Sequence, residues 1–416
     1  MNIIFHRYNS ICEPDFLDAF KTIGIDVIED ADEIRDKNIP LEKKVETLGN
    51  MILTHKPVFV FSINFFPYIS MVCEKLNVLY LCVSVDCPVV ELYSNMIKNK
   101  CNRVFLFDYA QYEEIHALNP ECVFHMPLGV NVDRLDKVIG ALDWDGAGRN
   151  KIASDSVIGK AGEPFYKYDV SFIGSLYNEK NKYADIYPQL PDRYKGMCDG
   201  LLTAQELLNG QEILEKAVSA ELIDSIKKVD SAFYSSDKNC VNTDAFVTVN
   251  HYLSTELTVR DRLNLMYVLS EGLRDSAQVH LFTRSDLTDL KAANAPIIYH
   301  DGAESLKEMP EIFRRSKINL NPTMRSIKMG LPQRIWDVLG AGGFLLTNYQ
   351  AEIPEYFEIG THLEAYETIE EAYEKITYYL EHEDERLEIA MNGYELVKSK
   401  HKVVDRVVEM MKMIMA

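Results

Sequence analysis

The stretch INLNPTMRSIKMGLPQRIWDVLGAGGFLLTN, residues 318–348, constrains the fold more than any other part of the chain. A short apolar run, Ile318 to Leu320, breaks at Asn321-Pro322. A polar loop follows with Thr323, the cations Arg325 and Lys328, Gly330 and Pro332. Helical spacing then sets Ile335, Trp336, Val338 and Leu339 on an apolar face, with Asp337 the one charge among them and Arg334 just before. Gly340, Gly342 and Gly343 end that helix, and Phe344 to Thr347 reads as another strand. Strand, loop, helix and strand within about thirty residues make one βαβ unit. The loop after the first strand belongs at the carboxyl edge of a parallel sheet, where open α/β folds bind ligands. A helix N-terminus with cationic neighbours suits a phosphate, so the expected ligand is a small molecule linked through pyrophosphate. The same layout also fits an ordinary Rossmann-like repeat with solvated cations and glycines that only cap a helix.

At 416 residues the chain exceeds the size at which single cores stop growing, so two domains are expected. It carries 44 basic and 64 acidic residues, a formal charge of −20. That balance excludes nucleic acid and anionic membrane surfaces as main partners, since both need a basic footprint. A local cationic cluster holding a small anion remains compatible with it. The opening MNIIFHRYNS has no apolar core of a signal peptide, and no apolar run approaches the roughly 18 residues of a membrane span. Eight cysteines form no CxxC pair, and several lie in apolar runs, as Cys82 does in VLYLCVSV. Core thiols in a reduced, cytoplasmic protein are the expectation.

Read in order, residues 2–5 form a strand, a helical segment over 14–23 ends at Gly24, and PVFVFSI (57–63), LYLCVSV (79–85), VFLFD (104–108) and CVFHMPL (122–128) are further strands. Uninterrupted apolar strands alternating with helices indicate a parallel sheet covered on both faces. The pattern lapses over 136–168, the expected linker. It resumes with DVSFIGS (169–175), VHLFT (279–283), PIIYH (296–300), KINLN (317–321) and FLLTN (344–348). Residues 178–273 read as a helical insertion in the second domain. Ser305 with Glu308, and Thr368 with Glu371, spell capping boxes.

Four smaller features carry chemistry. Asp143-Trp144-Asp145 is a D-x-D tripeptide that can hold a divalent ion under a diphosphate, but it lies in the linker and not at a strand end, so no metal site is expected there. Gly174-Ser175 follows a strand, where a small residue lets backbone N–H groups approach a phosphate; a plain strand-ending turn is the alternative. Asp86 ends a first-domain strand and is either a general base toward an acceptor hydroxyl or the N-cap of the helix after Pro88. His6 and His125, also at strand ends, read as hydrogen-bonded structural histidines. No HExxH, GxSxG, Walker A or GxGxxG pattern occurs.

On these phrases the chain resembles the CgeB-type family of glycosyltransferases. The resemblance rests on residues 317–400, with EIPEYF and NGYELVKSKH after the opening stretch, and on SFIGSLY at 171–177. FVFSINFFP, YLCVSVDCP and VFLFD are similar to the N-terminal domain often fused to that family. The resemblance implies a GT-B fold: two Rossmann-like domains facing a cleft, the first over 1–135 and joined by a C-terminal helix at 400–416, the second over 169–399. It implies a nucleoside-diphosphate sugar donor, UDP-linked first, held by the second domain, with no cofactor or metal, and a protein or surface-glycan acceptor on the first. Asp337 falls where related enzymes carry a ribose-binding Glu, and a carboxylate accepts hydrogen bonds from ribose hydroxyls. Met329 stands where they often place another Glu, a departure from the two-glutamate retaining pattern. Arg325, Lys328 and Arg334 are expected on the diphosphate, with Gly174, Ser175, Asn321, Thr323, Gly330, Gly342 and Gly343 completing the donor-binding set. Asp86 is then the expected base of an inverting enzyme. The rivals are a non-catalytic GT-B-like subunit that binds a partner transferase or a glycan, and a nucleotide-sugar epimerase.

Overall fold

A computed structural model describes residues 1–140, 142–144, 150–152, 165–233 and 243–415. The chain forms two compact units, one built on Met1–Asn131 with the C-terminal segment from His401, the other on most of the chain between Val132 and Lys400.

The first unit is a parallel six-stranded sheet in the order β2-β1-β3-β4-β5-β6. Its strands are β1 (Asn2–His6), β2 (Asp26–Asp30), β3 (Phe59–Ile63), β4 (Leu79–Val83), β5 (Asn102–Leu106) and β6 (Val123–His125). Every residue of β3 is buried, as a strand covered on both faces requires. Phe5 meets Phe61 edge to face at 4.9 Å between ring centroids, and Phe20 packs on the same ring at 5.0 Å. The sequence reading omits β2. Its DVIED sequence lacks an apolar run because it is the edge strand, where charges face water and blunt further pairing. The helix Val403–Met415 packs on the helix Glu13–Thr22, and its approach is fixed by Val130 N donating to His401 O at 3.0 Å and Arg406 Nε to Pro127 O at 3.0 Å.

The second unit holds another parallel six-stranded sheet, ordered β11-β10-β9-β12-β13-β14. After the antiparallel pair β7 (Leu142–Trp144) and β8 (Asn150–Ile152) come β9 (Tyr168–Ile173), β10 (Val279–Phe282), β11 (Ile297–His300), β12 (Ser316–Asn321), β13 (Leu345–Asn348) and β14 (Glu364–Tyr366). Val170, Phe172, Leu281, Ile318, Leu320 and Leu346 form its core. The short β14 and the β7–β8 hairpin, the latter inside the expected linker, carry no apolar run long enough to read. Residues 132–135 pack with this second unit, not the first. The helix Val132–Ile139 is tied there by Tyr394 Oη donating to Asp136 Oδ2 at 2.9 Å and Arg314 Nη1 to Ile139 O at 3.0 Å. Asp145 of the D-x-D tripeptide lies outside the described residues.

Between β9 and β10 the chain is helical, including Asp192–Glu206 and Ser254–Gly272, the latter preceded by a π-helical turn at Thr248–Leu253. Thr368 caps the helix Ile369–Glu381, its Oγ1 accepting from Glu371 N at 3.1 Å. Ser305 does not act in the same way. The helix starts only at Glu308, whose carboxylate accepts from Glu304 N at 2.7 Å. Among the described residues no helix is long and apolar enough to cross a membrane.

Candidate functional site

The loop after β12 leads into the helix Gln333–Gly340, with Pro332 at its N-cap. Trp336, fully buried, pins the inner face of that helix through packing on Phe357 at 5.2 Å and through Nε1 donating to Leu331 O at 3.3 Å. Arg334 therefore stands in the first turn at the carboxyl ends of β9 and β12. Asn321 braces the same corner. Its Nδ2 donates to Thr323 Oγ1 and Thr347 Oγ1, both at 3.0 Å, and its Oδ1 accepts from Arg334 Nη1 at 3.4 Å. Thr323 N donates to Asn348 Oδ1 at 2.6 Å, so Asn321 and Thr323 set the loop from within.

A second arginine faces the first. Arg262, 4% exposed, projects from the helix Ser254–Gly272 and donates through Nη1 to Ser175 O and through Nη2 to Pro322 O at 2.8 Å. Its guanidinium carbon lies 5.3 Å from the Phe172 ring centroid, and that of Arg334 lies 5.5 Å from the same ring. The Nε atoms of both arginines are buried with no hydrogen-bond partner. Among the described residues neither guanidinium has a carboxylate within ion-pair distance. Burial, with the neighbouring Arg334 charge adding to it, holds the Arg262 pKa down to about 10. Burial likewise lowers that of Arg334. A buried guanidinium beside a second, half-buried one, with no carboxylate at ion-pair distance among the described residues, is costly, and a bound anion reduces that cost.

Gly174 makes room for this pair, since a Cβ there would stand 2.9 Å from Arg334 Nη2. Of the backbone N–H groups at this turn, three are committed within the fold. Gly174 N donates to Phe282 O at 3.0 Å, Leu176 N to Ser285 Oγ at 2.8 Å and Tyr177 N to Ser175 Oγ at 2.9 Å. The turn contributes its missing side chain at Gly174 and the Ser175 carbonyl, which accepts from Arg262. Asp337 lies one turn beyond Gln333, whose Nε2 donates to its Oδ1 at 2.9 Å.

Two expected phosphate cations are already neutralised. Arg325 Nε and Nη2 grip both oxygens of Asp261, at 2.5 and 3.2 Å, and Nη1 donates to Leu208 O. Lys328 Nζ pairs with Glu215 Oε1 at 2.8 Å. Both fasten the loop to the helical insertion. Gly330 is buried within that loop. Gly342 and Gly343 close the far end of the helix: their amides donate to Leu339 O and Val338 O, and a Cβ on Gly343 would stand 2.7 Å from Phe313 O. They are packing glycines, a helix length from Arg334. Beside the arginine pair, a pocket of about 700 Å³ opens at the carboxyl ends of β12 to β14, lined by Asp261, Pro322, Thr323, Arg325, Asn348 and Tyr366. Its volume falls within the range of small-molecule sites.

Sequence reading missed Arg262. Its signal is a lone cation in register with Val259, Leu265, Met266 and Leu269 on the buried face of a helix, since arginine is seldom fully buried without a partner.

In the first unit, Asp86 is exposed just beyond β4 and accepts from Asn64 Nδ2 at 2.6 Å. It caps no helix, because the next helical turn begins at Val90 with Val89 at its N-cap. His6 is structural. Its Nδ1 lies 2.9 Å from Asp30 Oδ2 and its Nε2 3.4 Å from Glu33 Oε1. Burial opposes its protonation, but hydrogen bonds to Asp30 and Glu33 outweigh it and raise its pKa above 6.5. The His6 hydrogen bond, with Lys44 assisting, holds Glu33 down to about 2. The stabilisation from His6 is therefore complete below its unfolded-state pKa and is lost as pH rises through the higher folded value. Urea midpoints from about pH 6 to 9 are expected to fall in the wild type and to fall less in His6→Gln.

Residues 284–412 match the model of a family described as glycosyl transferase-like. No curated protein matches the chain in sequence. Among solved structures it is similar to Anabaena HepE in complex with UDP-glucose, at 9% identity over 100% of this chain and 99% of that one, with TM-score 0.53. It is similar to sucrose-phosphate synthase from Thermosynechococcus elongatus, at 9% identity, 100% and 99% coverage and TM-score 0.53. A third is WaaG, a glycosyltransferase involved in lipopolysaccharide biosynthesis, at 10% identity, 98% coverage of each chain and TM-score 0.52. The fold is GT-B, with two Rossmann-like units each carrying a parallel six-stranded sheet.

Proposed function

We propose that this protein transfers a sugar from a nucleoside-diphosphate sugar, UDP-linked in the first instance, to a hydroxyl on a protein or surface-glycan acceptor. The single observation that carries this reading is the Arg262–Arg334 pair, one guanidinium buried and one half-buried, with no carboxylate at ion-pair distance among the described residues, at the sheet edge where such folds take ligands. The similarity to a structure holding UDP-glucose supports uridine as the nucleoside. The phrases within 317–400 support a CgeB-type placement inside the broader family.

In the proposed reaction the acceptor oxygen attacks the anomeric carbon. The bond from that carbon to the β-phosphate oxygen breaks, and its electron pair leaves on the diphosphate. The arginines stabilise the charge that develops there, Asp337 holds the ribose, and Asp86 takes the acceptor proton. No cofactor is invoked, and the arginines do the charge neutralisation.

The test is release of UDP from UDP-glucose with a panel of acceptors, in EDTA and in magnesium. Turnover of similar rate in both is expected. Turnover abolished by EDTA contradicts charge neutralisation by arginine alone. Donor consumption without any acceptor, yielding a 2-epimer, supports the epimerase rival, and binding without turnover supports the subunit rival.

A further inference from the structure

Asn64 stands directly after β3 with φ +58°, a left-handed conformation that asparagine adopts more readily than most side chains. Its amide uses both of its functions fully. Oδ1 accepts from Val85 N at 3.0 Å, Asp86 N at 3.3 Å and Ser84 Oγ at 3.3 Å. Nδ2 donates to Asp86 Oδ2 at 2.6 Å and to Tyr8 Oη at 3.0 Å. The two main-chain amides can only donate, so they fix which end of the carboxamide faces Asp86. One side chain thus joins the carboxyl ends of β1, β3 and β4 around a single carboxylate. Tyr8 is itself held by Phe66, at 5.3 Å between ring centroids. Among the described residues Asp86 Oδ1 has no hydrogen-bond partner, and Asp86 is exposed.

We propose that Asn64 is the positioning residue of this edge: it grips Asp86 by Oδ2 and presents Oδ1 as the oxygen that receives the acceptor proton. The inference rests on the glycosyl-transfer reading, with Asp86 as base, and adds the group that aims it. Asn64 thereby fixes which oxygen of Asp86 is held and which faces outward.

Asn64→Asp separates this role from simple bracing. The variant keeps the shape, tolerates the same backbone conformation and still accepts from the two amides. It replaces the donor with a second carboxylate against Asp86, and two carboxylates sharing a site resist joint ionisation. The acidic limb of the kcat profile for UDP release from UDP-glucose is expected to move up by about one pH unit or more, with KM for UDP-glucose unchanged. Tyr8→Phe, which removes only the other partner of Nδ2, is expected to leave the limb in place. A limb that stays put in Asn64→Asp, or a uniform loss of rate tracking a lower Tm, overturns the proposal. The Asp86 carboxyl resonance, titrated in carbon-13-labelled protein, reads the same coupling without turnover. If the wild type releases no UDP, the transfer reading is what fails. Identical Asp86 titrations in wild type and Asn64→Asp then overturn the Asn64 assignment as well.

Discussion

Arg334→Met is expected to abolish most of the affinity for UDP while leaving the free protein as stable as the wild type, or slightly more so. The guanidinium lies over Phe172 beside Arg262, with its Nε unpartnered. Its removal relieves the repulsion that helps depress Arg262, and the methionine stem keeps the packing on the ring. Each charge-assisted hydrogen bond lost from a bound diphosphate costs about 1.5–3 kcal/mol, or roughly 10- to 150-fold in Kd. Opposite signs for binding and stability mark a site that holds strain for function. Calorimetric titration with UDP and a urea melt of the same samples read both. Arg325→Ala is the matched contrast. Its partner Asp261 is left unpaired, so stability falls, the opposite sign to Arg334→Met. A fall in both for Arg334→Met would make Arg334 a structural arginine.

The largest stability effect is expected from Trp336→Ala. The side chain is fully buried, contacts Tyr356 and Phe357, and donates to Leu331 O. Truncating a buried aromatic of this size costs about 3–5 kcal/mol. The consequence reaches function because Trp336 lies between Arg334 and Asp337 on one short helix. A variant that still folds is expected to bind UDP weakly, since the helix that presents both groups loses its inner anchor. Urea unfolding followed by circular dichroism gives the first quantity. An effect below about 1 kcal/mol would mean that the helix is held by its neighbours alone.

Much of the fold was legible because its central strands are apolar runs. FVFSI, LYLCV and SKINLN are each buried almost throughout, and a strand hidden on both faces has little freedom to be anything else. DVIED and EAY were not legible. One is a charged edge strand of the first sheet, and the other spans three residues at an edge of the second. The site divides on the same principle. That Arg334 stands in the first turn of a helix could be read because helix N-termini are local features. Arg325 and Lys328 look identical to it in sequence, yet Asp261 and Glu215 cancel them from distant parts of the chain. Arg262 and Asn64 escaped notice because their roles are defined by tertiary neighbours. Arg262 reads as one charge in a long helix until Phe172, Ser175 and Pro322 surround it. Asn64 reads as a turn residue until β1 and β4 bring Tyr8 and Asp86 to its amide.

Whether the arginine pair holds a diphosphate is read by titrating the wild type with uridine, UMP, UDP and UDP-glucose at fixed ionic strength. The account predicts a steep gain in affinity from UMP to UDP, retained in UDP-glucose and flattened in Arg334→Met. Equal affinity for uridine and UDP would contradict it, because the energy of binding would then come from the nucleoside and not from Arg262 and Arg334.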